Sequence, residues 1–167
     1  MKIAILTQPL GPNYGGIMQA WALQQVLKSM GHEPVTIDRQ PDARTLAFRS
    51  ARTVYRAMRA LVGKAQGPVR PERVLPIVTK HTREFIQTNI VMSPMIDSTE
   101  KLREHFIDEG YEAVIVGSDQ TWRPSYSPNL YNYFLDFLPD RAIKKLAYAS
   151  SFGVDYWAFS PEQTLTC

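Results

Sequence analysis

The sequence predicts an α/β domain: a Rossmann-like, three-layer fold in which a parallel sheet lies between helices. Three observations predict it: short continuous apolar runs that suit strands buried on both faces, helix-forming segments between them, and a polar turn after each run. The chain has 167 residues. A chain of this length buries about 70% of its unfolded surface, so we expect one domain over the whole sequence.

The first elements form a βαβ unit. Residues 3–6 are an apolar run followed by a turn with two prolines, and residues 16–30 contain no proline and no internal glycine before Gly31. We expect a strand and then a helix there, with Gly31 as the helix stop, and a second strand at residues 34–38. Such a unit implies parallel strands, with ligands bound outside their carboxyl ends.

Helices are predicted next. In residues 44–62, apolar side chains recur at three- and four-residue steps, which is typical of an amphipathic helix. A loop follows at residues 63–71, then a helix that starts near Pro76 with His81 on its apolar side, and then a short acidic helix at residues 97–109. We expect His81 to be a core histidine. His32 and His105 are expected at the surface.

Two further apolar runs, residues 112–117 and 145–150, predict strands on either side of a loop at residues 123–132. The total is about four parallel strands. A polar cluster follows three of them: Asn13-Tyr14-Gly15-Gly16, Gly117-Ser118-Asp119-Gln120-Thr121-Trp122, and Ser150-Ser151-Phe152-Gly153. Parallel packing brings these clusters to one edge. They are interpreted either as a ligand site, where glycine lets backbone N–H groups approach an anion, or as plain strand ends and helix caps.

Single residues in these clusters also have two interpretations. Asp119 is a candidate general base or hydroxyl-binding carboxylate, and equally a capping residue of the next turn. Trp122 and its neighbouring tyrosines suit a stacking platform for a sugar ring, although aromatic residues at this density are more often core. The spacing Gly-x-Gly-x-x-Gly and a Walker lysine are absent, which disfavours NAD and ATP sites. The histidines show no metal-ligand spacing, so no metal site is predicted.

Composition excludes other classes. Hydrophobic residues at 44% and charged residues at 21% are typical of globular domains and not of disorder. The only cysteine is Cys167, so no intrachain disulfide can form, and a reducing cytoplasm is expected. The N-terminal apolar run is too short for a signal peptide, and no run of about 18 apolar residues is present to span a membrane. Attachment to the inner membrane surface stays open.

Charge is concentrated in one region. The net charge is +3, and the predicted helix at residues 44–62 carries a stripe of four arginines, Arg49, Arg52, Arg56 and Arg59. A solvated helix face is the simplest interpretation. A patch for an anionic lipid or polymer is the second, and nucleic-acid binding is disfavoured because no nucleic-acid-binding motif accompanies the stripe.

Five blocks of sequence together carry a family resemblance. They are residues 2–7, 13–24, 116–122, 133–137 and 147–153, and the second block includes Gln19. In order and spacing this chain resembles the N-terminal half of the polysaccharide pyruvyl transferases, from residue 1 to about residue 162. The resemblance implies one half of a glycosyltransferase-B-like fold, with catalysis in the cleft between two Rossmann-like halves.

The resemblance also implies a reaction. Family members transfer the enolpyruvyl group of phosphoenolpyruvate to sugar hydroxyls, which forms a pyruvate ketal in a surface polysaccharide; the acceptor is a sugar or a lipid-linked glycan. No cofactor is needed. The chemistry requires an acid, a base and donors for phosphate and carboxylate. On this side of the cleft, Asp119 is the catalytic candidate from the argument on the residues given above. By position, the resemblance adds a set of substrate-binding residues: Asn13, Tyr14, Gly15, Gly16, Gln19, Ser118, Gln120, Trp122, Ser150 and Ser151.

Family members continue into a second half, so we expect the chain to lack its C-terminal half and to be inactive alone. An isolated half loses the positioning that two cleft walls supply. It would also expose apolar surface that favours self-association. The alternative is a non-catalytic module that binds a glycan or an anion, or that pairs with another chain.

Overall fold

The computed structural model describes residues 1–42, 46–61, 71–138 and 142–166. The strands are β1 (Lys2–Leu6), β2 (Glu33–Arg39), β3 (Met92–Ile96), β4 (Ala113–Asp119) and β5 (Lys144–Ser150). The helices are α1 (Tyr14–Ser29), α2 (Leu46–Leu61), α3 (Pro71–Val78), α4 (Lys80–Asn89), α5 (Thr99–Glu109) and α6 (Pro161–Thr166), with a 3-10 helix at Leu130–Phe134. The ends of the predicted helix 44–62 and most of the loop 63–71 lie outside the described residues.

The five strands form one parallel sheet in the order β3-β2-β1-β4-β5. This confirms the predicted α/β, Rossmann-like fold class. The chain moves from β1 outward to β3 and then returns to the other side of β1 to form β4. The strand order therefore reverses between β1 and β4, and ligands in open sheets of this kind bind outside the carboxyl ends at such a point.

Helices cover both faces of the central strands. On one face, Ile3, Ile5 and Ile115 pack with Leu27 of α1, and on the other face a larger cluster includes Phe106 of α5. The alternation follows from the pleat, which points successive side chains to opposite faces. The result is a three-layer arrangement with β1 and β4 buried in its centre.

The outer strands differ from expectation. β3 was not predicted, because Ser93 and Pro94 interrupt the apolar run that would have marked a strand. β5 was predicted, but it is an edge strand in which residues 144–149 are exposed. Beside it, a groove of about 480 Å³ runs between α1 and β5 and includes Val26, Leu146 and Tyr148 in its lining.

The helix predicted to start near Pro76 is wrong in detail. Two helices, α3 and α4, occupy this region, and Pro76 lies inside α3. His81 is not a core residue, because its side chain is 88% exposed. The buried side of this region carries Thr79 and Thr82 instead. His32 and His105 are half-buried rather than fully at the surface. None of the helices in the described ranges combines the length and the apolar character needed to cross a membrane.

Candidate functional site

The loops that follow β1, β4 and β5 are bonded to one another at the carboxyl edge of the sheet. Gln8 donates from Nε2 to the main-chain oxygen of Gln120 at 2.9 Å. Ser151 donates from its main-chain N–H to the carbonyl of Asp119 at 3.0 Å. Parallel pairing requires all three strand ends to meet here, and these bonds fix how the loops sit.

Gln120 connects these loops through its side chain as well. Its Oε1 accepts a hydrogen bond of 2.8 Å from Nη1 of Arg123. Its Cδ lies only 2.2 Å from the position that a Cβ on Gly153 would occupy. The close approach requires glycine at residue 153, and it holds Gln120 between the loops after β4 and β5.

Asp119 ends β4 in the left-handed region, with a φ of 80°. Its main-chain carbonyl accepts two hydrogen bonds, from the N–H groups of Thr121 and Ser151. Its carboxylate, by contrast, makes no hydrogen bond or ion pair within the part of the chain that the structure describes, and the residue is only half-buried. The carboxylate therefore caps none of the described N–H groups, and it is accessible to a ligand.

The N-terminus of α1 lies at the same edge of the sheet because α1 follows β1. Asn13 caps the helix by accepting a hydrogen bond of 3.1 Å at Oδ1 from the N–H of Gly15. Tyr14 is 70% exposed, and Gly15 and Gln19 are exposed as well. Gln19 also lines the α1–β5 groove together with Ser118, so this end of the groove opens toward the strand ends.

Other predicted site residues are held by the fold itself. Ser118 is buried, and Ser150 donates from Oγ to the carbonyl of Val116 at 2.8 Å. The peptide bond between Gly117 and Ser118 is cis, and a Cβ on Gly117 would come within 2.0 Å of the Tyr148 oxygen. Ser118, Gln120 and Ser150 thus shape the rim, whereas Ser151 is exposed on it.

The predicted aromatic platform does not form as a set. Trp122 stacks on Phe134 at 5.8 Å and donates from Nε1 to the carbonyl of Tyr133 at 3.1 Å. Tyr133 is buried and donates from its hydroxyl to the carbonyl of Thr7 at 3.0 Å, and burial raises the pKa of Tyr133 well above its usual range. Tyr126 lies apart, exposed, with Arg123 over its ring. These aromatic residues mainly fix the loop after β4.

A buried arginine was not predicted. Arg39, the last residue of β2, is fully buried and donates from Nε to Oδ1 of Asn132 at 2.9 Å. It also bonds the carbonyl of Gln40 and the carboxylate of Asp42. A charged residue directly after an apolar strand was the available signal. Its role in the structure is to tie β2 to the 3-10 helix.

Metal-ligating side chains are scattered over the described ranges. Among those residues, no three of the His, Cys, Asp or Glu side chains come together in a group that could hold a metal ion.

The parallel sheet with helices on both faces defines a Rossmann-like α/β domain, in which the loops after β1, β4 and β5 form one rim. The family model for polysaccharide pyruvyl transferases matches residues 13–165, which is most of the chain. The chain belongs to this family, and the predicted resemblance is confirmed.

Two other comparisons add no functional information. A comparison with curated proteins finds no match. Among solved structures, one similar chain is a protein from the universal stress protein family from Burkholderia pseudomallei, 14% identical, with a TM-score of 0.37 over 87% of this chain and 96% of that chain. This similarity is too low to support a conclusion about the present protein.

Proposed function

We propose that this chain is one half of a ketal pyruvyl transferase that acts on a sugar in the synthesis of a surface polysaccharide. The observation that carries the proposal is the family match over residues 13–165. The accessible carboxylate of Asp119 on the rim formed by the three loops supports it. The donor in this proposal is phosphoenolpyruvate, and no cofactor takes part.

The proposed reaction balances without an oxidant or a reductant. A general acid protonates the methylene carbon of the enolpyruvyl group, and one sugar hydroxyl adds to the neighbouring carbon. The bond from that carbon to the phosphate oxygen then breaks, and a second sugar hydroxyl adds. The two sugar hydroxyls release two protons. One makes up for the proton taken up by the methylene carbon, which becomes a methyl group, and the other leaves on the phosphate.

Residue roles in the proposal follow from exposure and charge. Asp119 is the base that takes a proton from an attacking hydroxyl. The N-terminus of α1 contributes a partial positive charge and the N–H of Gly16 for the phosphate or carboxylate of the donor, whereas the N–H of Gly15 is held by the Asn13 cap. Tyr14, Gln19 and Ser151 are exposed polar side chains that suit hydrogen bonds to a sugar.

Four predicted substrate-binding residues have a different role in the proposal. Each has a bond or a packing contact that holds the rim in place: Asn13, Ser118, Gln120 and Ser150. Phe134 stacks on the ring of Trp122, so in the proposal the sugar contacts only the part of this ring that Phe134 leaves uncovered.

The proposal includes a need for a second half. The rim is one wall of a cleft, and transfer between two bound substrates depends on both walls to position them. We therefore expect the isolated chain to be inactive. A cytoplasmic location suits a chain whose single cysteine cannot form an intrachain disulfide.

The test measures phosphate release and the methyl signal of the ketal in NMR, with phosphoenolpyruvate and a panel of sugars. We expect none from this chain alone, and turnover when the C-terminal half of a family member is supplied. Asp119→Asn should lower that turnover about 100-fold or more, as loss of a general base does. Asp108→Asn, an exposed carboxylate on α5, is the control. Turnover by the chain alone would refute the need for a second half, and an active Asp119→Asn variant would refute the assigned base.

A second candidate function is a non-catalytic binding or interaction module. The exposed edge strand β5 and the apolar groove beside it favour this candidate, because such surface is rarely left uncovered. The occupant would be the second half or another copy of the chain. Light scattering of the purified chain distinguishes a monomer from a self-associated form. Glycan binding that Asp119→Asn weakens, without turnover under any of the conditions above, would favour the module.

A further inference from the structure

Helix α2 carries an apolar surface that faces solvent. Its exposed side chains include Val54 at 53%, Tyr55 at 59%, Met58 at 58% and Leu61 at 88%. The other long helices use such residues differently: α1 buries Ile17 and Leu27, and α5 buries Leu102 and Phe106. No described side chain of α2 is buried.

The same helix is strongly basic. Its 16 residues include four arginines and no Asp or Glu. At the helical period of about 100° per residue, positions 49, 52, 56 and 59 fall on one side and positions 54, 58 and 61 on the opposite side. The side chain of Arg49 lies outside the described set, whereas Arg52 is exposed and Arg56 and Arg59 are half-buried.

Neither feature alone identifies a partner, but the combination does. An arginine stripe that only kept the helix soluble would not need large apolar residues in water on the opposite side. A nucleic acid would use the arginines and leave that apolar side exposed. An anionic bilayer uses both, because arginines meet the lipid phosphates while the apolar side enters the boundary between headgroups and acyl chains.

We propose that α2 is an interfacial helix that binds the domain to an anionic membrane surface. The helix lies in the plane of the bilayer, with Val54, Met58 and Leu61 toward the acyl chains. The arginines remain at the level of the phosphates, and Tyr55, with Arg59 placed 5.9 Å over its ring, lies between the two sides. This inference does not depend on the pyruvyl transfer chemistry.

Co-sedimentation with vesicles tests the proposal. The vesicles consist of phosphatidylcholine, with and without phosphatidylglycerol. We expect binding only to the anionic vesicles, with an affinity that falls as salt is added. Arg52→Gln with Arg56→Gln should weaken it about 30-fold, since each basic residue near such a surface contributes about fivefold. The control is Lys28→Gln with Arg83→Gln, which removes the same charge from exposed sites on α1 and α4 and should leave most of the binding intact.

A second measurement separates insertion from adsorption by charge alone. A polarity-sensitive dye is attached to Met58→Cys in a Cys167→Ser background. We expect its emission to rise and shift to the blue with anionic vesicles, and to stay unchanged with a double-stranded DNA. Absence of vesicle binding would overturn the proposal. So would equal weakening by the control pair, or binding without a change in emission.

Discussion

Gln8 and Gln120 are joined by a hydrogen bond of 2.9 Å, from Nε2 of the first to the main-chain oxygen of the second. The two residues follow β1 and β4, the strands between which the strand order reverses. The bond therefore fixes the two central loops of the rim relative to each other. The same Nε2 also donates to Oγ of Ser127 at 3.3 Å, which brings in the end of the next turn.

Removal of this donor should destabilise the domain. In Gln8→Glu, a carboxylate oxygen replaces the donor and faces a carbonyl oxygen, so we expect a loss of about 1 to 3 kcal/mol in the free energy of unfolding. Urea denaturation measures it. Gln87→Glu makes the same chemical change at an exposed position on α4 and should change stability by less than about 0.5 kcal/mol. Equal effects at both positions would contradict the assigned bond.

Gly153 should tolerate alanine poorly. Its φ of +68° disfavours a side chain, and a Cβ would lie 2.2 Å from Cδ of Gln120, which Arg123 holds in place. Gly31 has a similar φ of +78° but no atom within 4 Å of its Cβ position, so it serves as the control. Both alanine variants pay about 1 to 2 kcal/mol for the left-handed backbone. In urea denaturation, we expect Gly153→Ala to lower the free energy of unfolding by about 1 kcal/mol more than Gly31→Ala does, because its Cβ overpacks against Gln120. Equal losses would mean that the contact with Gln120 relaxes freely.

Arg39 should contribute more to the stability of the domain than Asp42, the acid that it pairs with. Arg39→Met removes a fully buried cation, leaves the Gln40 carbonyl without this donor and leaves Oδ1 of Asn132 with only the Thr99 hydroxyl, so we expect a loss of about 3 kcal/mol. Asp42 is 57% exposed, so Asp42→Asn should cost at most about 1 kcal/mol. Thermal denaturation of the two variants provides the comparison. The reverse order of losses would refute the network described here.

Tyr133 should make stability depend on pH in alkaline solution. Its pKa is raised by burial, so the phenol ionises more readily in the unfolded chain than in the folded one. The contribution to stability is thus complete below about pH 10, the usual tyrosine pKa, and is lost as the pH rises above it. Tyr133→Phe should reduce this alkaline loss and, at neutral pH, cost about 1 kcal/mol for the bond to Thr7. The control is Tyr126→Phe, at an exposed phenol, which should change neither the alkaline loss nor the stability at neutral pH. An unchanged alkaline profile in Tyr133→Phe would be evidence against the raised pKa of Tyr133.

The sequence predicted strands reliably where both faces of the strand are buried. β1 and β4 are buried on both faces, and their apolar runs predicted them closely. β3 was missed because only Ser93 and Ile96 are buried, with Pro94 and Met95 exposed between them, so it shows neither an apolar run nor an alternation. The buried side of α4 was missed because its buried residue is Thr82, which apolar spacing does not mark.

The rim was predictable in position and less so in detail. Parallel strands bring their carboxyl ends together, so the clusters that contain Asp119 and Ser151 were placed correctly at one edge. Gln8 carries no sequence signal, because its bond to Gln120 joins two loops that are distant in the chain. The bond from Arg123 to Gln120 is local, within the loop after β4. Arg39 was likewise hidden, since the sequence does not reveal that Asn132 lies beside it.

We propose above that the loops after β1, β4 and β5 contribute to a site for phosphoenolpyruvate. The most direct measurement is a two-dimensional ¹⁵N–¹H NMR titration of the chain with phosphoenolpyruvate, with sulfate as the control anion. We expect saturable shifts at residues 13–16, 118–120 and 150–153 that sulfate does not reproduce. Shifts confined to the arginines of α2, or identical shifts with sulfate, would contradict it.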